Sequence, residues 1–199
     1  MYKERGHDSP IKKVPVELGS NSREALSRFL VDVERRAFQM AKFASRNTDD
    51  ALDLVQEGMA EFVKRYSAQP QEKWKTLFYR ILQSRIMDWH RRSFVRRRFL
   101  SWLGRDNEEE DQGDPLQNLA DPTSPNPYDH AVRQEEMKAL EKAIRALPLR
   151  QQQAFLLRVW EGMDVAQAAF AMGCAEGSVK THYSRAVHRL RGLLEDFRT

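Results

Sequence analysis

The stretch MGCAEGSVKTHYSRAVHRLRGLLE, Met172 to Glu195, carries two patterns on one helix. Advancing 100° per residue from Ser178 gathers Val179, Tyr183, Ala186, Val187, Leu190 and Leu194 on one side, the stripe of a core-facing helix. Thr181, Ser184, Arg185 and His188 fall roughly opposite, flanked by Ser178 and Lys180. That second face is either a solvated surface or one docked on a polyanion. The preceding residues bear on the choice. DVAQAAFAM, Asp164 to Met172, reads as a short helix capped by Asp164, with Val165, Ala169 and Phe170 inward. Gly173 then supplies the left-handed backbone angle of a sharp turn. Short helix, glycine turn, longer helix is the pattern of a helix-turn-helix, whose second helix enters the DNA major groove by its N-terminal residues. Arg185 has the fork that fits a guanine edge, Thr181 and Ser184 are short enough for close approach, and Lys180 reaches phosphate. His182 and His188 suit phosphate contact or solvation equally.

Upstream of the turn, Met137, Leu140, Ile144 and Leu147 form one stripe closed by Pro148. Phe155, Leu156, Val159 and Trp160 form another, closed by Gly162. Further upstream the composition changes. No lysine or arginine occurs between Asp106 and Val132, and GRDNEEEDQGDPLQNLADPTSPNPYD has few apolar anchors. Such a segment buries too little surface to offset chain entropy and reads as a linker in the free protein. The expected organisation is all-α: a flexible tail (1–20), a helical domain (21–102), an acidic flexible linker (103–130) and a second helical domain (131–199).

In the first domain Asn21 is placed to cap a helix, with Glu24 completing a capping box. Leu26, Phe29, Leu30, Val33, Ala37, Met40 and Ala41 make its stripe. NTDDALDLVQEGMAEFVKRY opens the next helix with acids at the positive end of its dipole. There Leu52, Val55, Met59, Phe62, Val63 and Tyr66 are expected inward. Asp53, Gln56 and Glu57 share a different face, at i, i+3 and i+4, as a polar patch or a solvated one. WKTLFYRILQSRIMDWHRRSFVRRRFLSW follows, with a core stripe of Trp74, Leu77, Phe78, Ile81 and Trp89. Its basic edge of Arg91, Arg92, Arg96, Arg97 and Arg98 is interleaved with Trp89, Phe94, Phe99 and Trp102. Cations that track phosphate beside rings that stack bases suit separated nucleic-acid strands. An acidic protein partner and a solubilising surface are the alternatives.

The bulk composition excludes other classes. The 199 residues are 31% charged and 41% hydrophobic, and no apolar run approaches the roughly 20 residues of a membrane span. MYKERGHDSPIKKVPVELG lacks the apolar centre of a signal peptide. Cys174 is alone, which excludes an intramolecular disulfide and a multi-cysteine zinc site and suits a cytoplasmic protein. His7, His90, His130, His182 and His188 have no metal-ligand spacing, and no glycine loop is built to cradle phosphate. Neither a cofactor nor an active site is expected.

Taken in order, these segments resemble the small two-domain bacterial sigma factors of the extracytoplasmic-function class, in the sigma-70 family. DDALDLVQEGMAEFVKRY resembles the region-two helix with its Asp-x-x-Gln-Glu pattern. LFYRILQSRIMDWHRR resembles the segment that follows, and ALPLRQQQAFLLRVWEGMDVAQAAFAMGCAEGSVKTHYSRAVHRL resembles region four. The resemblance implies that Asp53, Gln56 and Glu57 dock on the polymerase beta-prime clamp. It implies that Ser84, Arg85, Asp88, Trp89, Arg91 and Arg92 engage the −10 element, and that Ser178, Lys180, Thr181, Ser184 and Arg185 read the −35 element. The linker would thread toward the polymerase active-site and RNA-exit channel. Implied partners are core RNA polymerase through beta-prime and beta, promoter DNA, and an inhibitory anti-sigma factor, a common companion of the class. The chain itself would not be membrane-inserted. Ser84 stands where relatives commonly have Asn, Leu77-Phe78 where they have Trp-Leu, and VAQAAFAMG lacks their Glu-Ile-Ala pattern. The expected function is a promoter-specificity subunit. The alternative is a stand-alone helix-turn-helix regulator with an N-terminal sensing or dimerisation domain.

Overall fold

The computed structural model describes residues 20–102 and 127–195, all helix, turn or short connection and without a strand. The expected tail and most of the expected linker lie outside the described residues. Three long helices come first: α1 (Ser20–Ser45), α2 (Thr48–Tyr66) and α3 (Gln71–Trp102). Asn21 lies inside α1 rather than at its cap, because the helix already includes Ser20. The α1–α2 corner is tight. Arg46 takes a left-handed φ of 61°, and the Asn47 side chain accepts from the Asp50 N–H at 3.0 Å, capping α2.

These three helices close around an aromatic cluster. Phe62 and Phe78 have no exposed surface, and Phe29 and Trp74 pack on them with ring centroids 5.4–6.3 Å apart. Along α2 the buried residues are Ala51, Leu54, Val55, Gly58 and Phe62. Leu52 and Val63, expected inward, are instead 43% and 37% exposed. The stripe is narrower than the sequence suggested because, among the described residues, α2 packs chiefly on α1 and α3, and small Ala51 and Gly58 let it approach closely. Along α3, Trp74, Phe78 and Ile81 are buried as expected, but so are Tyr79, Leu82, Gln83 and Ile86. Burial reaches most of the way round this part of α3, which therefore packs on more than one side.

The covering on the other side comes from the second group of helices: α4 (Pro127–Arg145), α5 (Leu149–Phe155), α6 (Val165–Met172) and α7 (Glu176–Leu193). The Asp164 side chain accepts from the Gln167 N–H and the Gln167 side chain accepts from the Asp164 N–H, a complete capping box on α6. Gly173 ends α6 at φ 63°, ψ 43°, and its N–H and that of Cys174 return to the α6 carbonyls. Between α5 and α6, residues Leu156–Trp160 form a π-helical turn, in which the Glu161 N–H reaches back five residues to the Leu156 carbonyl at 3.1 Å. The extra residue rotates everything after it by about 100° relative to an unbroken α-helix. The expected stripe stays together along one groove but is only partly covered. Leu157 is fully buried and absent from it, while Val159 and Trp160, assigned to it, are 54% and 40% exposed. Met137 and Phe170, also expected inward, are 57% and 48% exposed.

The two groups pack directly on one another, chiefly α6 on α3. Arg80 of α3 donates to the Phe170 carbonyl at 2.6 Å and lies over the Phe170 ring at 5.5 Å. Gln152 donates to the Phe43 carbonyl at 3.4 Å, and Arg46 to the Arg145 carbonyl at 3.3 Å. Phe43 and Trp160 meet at 5.9 Å. The apolar core therefore runs continuously through both groups.

Phe62→Ala should destabilise the chain by about 3–5 kcal/mol in urea unfolding, the usual cost of emptying a fully buried phenyl site. Gly173→Ala forces a β-carbon into a left-handed residue, with Arg80 Nη1 only 2.7 Å away. It should cost about 1–2 kcal/mol by the same measurement, more than Gly177→Ala, where a β-carbon meets open space.

Candidate nucleic-acid and protein interfaces

α7 presents its two faces as the sequence implied. Val179, Ala186 and Leu190 are buried, while Lys180, Thr181, Ser184 and Arg185 are exposed and Ser178 is half-buried. Tyr183, half-buried, stacks on Phe155 with centroids 6.5 Å apart, and Arg158 lies over its ring at 5.9 Å. These contacts fix the rotation of α7 about its axis, so the polar face is held outward. The Thr181 hydroxyl donates back to the Gly177 carbonyl at 2.9 Å, leaving the oxygen free to accept. His182 is held below its ordinary pKa, first by burial and then by the positive charges of Arg150 and Arg185. It is consequently neutral at pH 7. Arg150, which sequence reasoning did not single out, donates to the Met172 carbonyl at 2.9 Å and so ties α5 to the turn.

On α2, Asp53, Gln56 and Glu57 are all exposed on one face. Leu52 stands one turn before Gln56 and adds an exposed apolar side chain there. The second group of site residues lies on α3. Ser84, Arg91 and Arg92 are exposed, and Arg85, Asp88 and Trp89 are half-buried. The structure joins these two sets, which the sequence had kept apart. Arg85 is bonded to Glu57 and donates to Glu61 Oε2 from Nε and Nη2 at 3.0 and 2.7 Å. Glu61 went unnoticed in the sequence, although it lies one turn after Glu57 on the same face. Asp88 is bonded to Arg91 on its own helix. One groove is lined by Asp50, Asp53 and Glu57 on one wall and by Trp89, Arg92 and Arg96 on the other. Arg91, Arg92, Val95 and Arg96 border a second, open recess of about 500 Å³. The expected contributions of Arg97, Arg98, Phe99 and Trp102 lie outside the described side chains.

The α3 site also faces the helix-turn-helix. A single cleft is lined by Arg80, Ser84, Asp88 and Arg91 from α3, by Arg150, and by Ala171, Met172 and Gly173 from the turn. Among the described residues no cluster of three or more metal-ligating side chains occurs, and no helix is long and apolar enough to cross a membrane.

Known proteins agree with this arrangement. The family model for sigma-70 region 4 matches residues 137–190, the segment that contains the helix-turn-helix. The RNA polymerase sigma-E factor of Streptomyces coelicolor is 31% identical over 144 residues, covering 71% of this chain and 70% of that protein. The ECF RNA polymerase sigma factor SigM of Mycobacterium tuberculosis is 27% identical over 170 residues, covering 80% of this chain and 72% of that one. Among solved structures, the sigma factor RpoE of Bartonella quintana, in complex with the anti-sigma factor NepR, superposes with a TM-score of 0.62 at 26% identity. That match covers 89% of this chain and 98% of that one. With both of its helical halves matched in order by such relatives, the chain belongs to the sigma-70 family of RNA polymerase sigma factors, in the extracytoplasmic-function class.

Proposed function

We propose that the three exposed side-chain sets divide the work of a promoter-specificity subunit. Residues 21–102 form the region-two unit and 131–199 the region-four unit, with 103–130 as the linker and 1–20 as a tail. Asp53, Gln56 and Glu57, with Leu52 beside them, dock on the beta-prime clamp of core polymerase. Ser84, Arg85, Asp88, Trp89, Arg91 and Arg92 engage the −10 element and its separated strand. Ser178, Lys180, Thr181, Ser184 and Arg185 read the −35 element. The observation that carries this reading is the fixed rotation of α7: Val179, Ala186 and Leu190 inward, Lys180, Thr181, Ser184 and Arg185 outward.

The chemistry of each set suits its task. Arg185 can present two parallel N–H donors to a guanine edge, and Lys180 can neutralise a phosphate and release counterions. The arginines bordering the recess on α3 track a phosphate chain, while Trp89 supplies an aromatic face. Arg85 is already engaged by Glu57 and Glu61, so its first role is to lock α2 against α3, with DNA contact following when a phosphate competes. Two modest DNA contacts held at fixed spacing on one enzyme act at high effective concentration. The chain performs no bond chemistry of its own and leaves phosphodiester formation to the polymerase. It works in the cytoplasm, where an anti-sigma protein is the natural inhibitory partner, as one is for the Bartonella relative. The stand-alone regulator reading loses its support, because the sigma-E relative matches across 71% of the chain rather than over the last domain alone.

Multi-round transcription with purified core polymerase on a genomic promoter library should give start sites that appear only when this chain is added. Their absence would remove the reading. Arg185→Ala should lower initiation at a promoter so identified by about 10- to 100-fold, the cost of one lost bidentate base contact, without moving the melting temperature. Asp53→Lys combined with Gln56→Lys should weaken core binding in a co-elution titration by at least about tenfold. Glu57 is left intact in that variant because its replacement would also release Arg85.

A further inference from the structure

We infer that Glu161 is an interdomain latch that holds the free chain closed, and that core binding must break it. The residue sits in the second helical group, yet its ionic partners lie in the first. Its side chain has no exposed surface. Arg36 of α1 pairs with Oε1 through Nε at 3.1 Å, and Lys75 of α3 pairs with Oε2 at 3.2 Å. Lys75 also donates to the Glu161 backbone carbonyl at 2.6 Å. Tyr79, fully buried on α3, faces the same carboxylate. Burial, and then the negative charge of Glu161, keep the Tyr79 hydroxyl protonated, so it adds no competing charge.

The local backbone is shaped for this contact. The π turn at Leu156–Trp160 adds one residue just before Glu161, and Gly162 follows with φ 63°. Without the added residue the side chain would point about 100° away from α1 and α3. A π turn weakens a helix and is commonly kept where a side chain must be re-aimed.

Three further cross-domain bonds among the described residues are of a different kind. Arg80, Gln152 and Arg46 donate to backbone carbonyls, which water replaces when the groups separate. Glu161 behaves differently because a buried carboxylate is tolerated only while it is paired. Arg36 and Lys75 are each 42% exposed, and closure requires both cations to stay beside the buried carboxylate. Closure also conflicts with promoter reading, and this step rests on the proposed function. Ser84 and the turn at Gly173 line one cleft, and helix geometry then puts Ser84 and Thr181 no more than about 35 Å apart. Promoter elements centred near −10 and −35 are ~85 Å apart along the duplex at about 3.4 Å per base pair. The closed chain cannot reach both.

The test uses the full-length chain with Cys174→Ala and spin labels at Asp32→Cys and Arg189→Cys, exposed sites outside the proposed interfaces. Pulsed electron–electron resonance on this background should give one narrow, short distance. Glu161→Gln, and separately Arg36→Gln with Lys75→Gln, should lose that short peak in favour of longer, broader distances, with helical circular dichroism unchanged. The second variant alters only half-exposed side chains, so it also serves if Glu161→Gln fails to fold. A background chain that is already broad, or a short peak that survives the charge removal, overturns the latch. Either opened variant should then bind core polymerase about tenfold more tightly, because a larger fraction is binding-competent. Opening without tighter binding would refute the inhibitory role. Failure of every form to bind core would strike the sigma reading instead, leaving the latch to be judged on the distances alone.

Discussion

Helix α3 is constrained on three sides, and the rest of the molecule follows from how it meets those constraints. One side must fill the aromatic core with α1 and α2, which Trp74, Phe78, Ile81 and Leu82 do. A second side must receive the other helical group, through Lys75, Tyr79 and Arg80. The third remains open to solvent and carries Ser84, Arg91 and Arg92. A straight helix has room for three such faces only if each is narrow. That is why the buried stripes are thin and why apolar residues extend round most of its first half.

The electrostatics follow the same division. Arg85 is spent on Glu57 and Glu61, an internal clamp that stiffens the α2–α3 pair. Arg91, Arg92 and Arg96 remain around an open recess. The acidic face of α2 and the basic face of α3 thus adjoin without neutralising each other fully. The proposed function needs this separation, since it has one face meet a protein and the other a polyanion. Salt should weaken the DNA side more steeply, as counterion release applies there.

Much of this was legible in the sequence, for identifiable reasons. The stripe of α7, the cap at Asp164 and the turn at Gly173 are local features, set by 3.6-residue periodicity and backbone sterics. Asp53, Gln56 and Glu57 could be put on one face because residues at i, i+3 and i+4 adjoin wherever the helix packs, and all three are exposed there. What escaped was set by distant chain. Tyr79 is buried because a second group of helices lies on it, and nothing within α3 announces that neighbour. Glu161, next to the closing Gly162, is an acid that nothing nearby in the sequence marks as buried. Its burial depends on a one-residue π turn, which a fixed advance of 100° per residue cannot register. Val159 and Trp160 keep a common face with Phe155 and Leu156, but that face lines an open groove. Leu52 and Val63 failed for another reason: among the described residues α2 packs chiefly on α1 and α3, and the expected apolar arc was wider than they cover.

The account stands or falls on whether the two helical halves read two separate stretches of promoter while both belong to one polymerase complex. Site-specific photo-crosslinking measures this directly, with a photoreactive residue placed at Ser84 in one preparation and at Thr181 in another. In complexes with core polymerase, the first should attach near −10 and the second near −35, about 25 base pairs apart. Without polymerase, neither should attach with sequence preference. Crosslinks from both positions to one short stretch of DNA, or the same specific pattern from the free chain, would contradict the account.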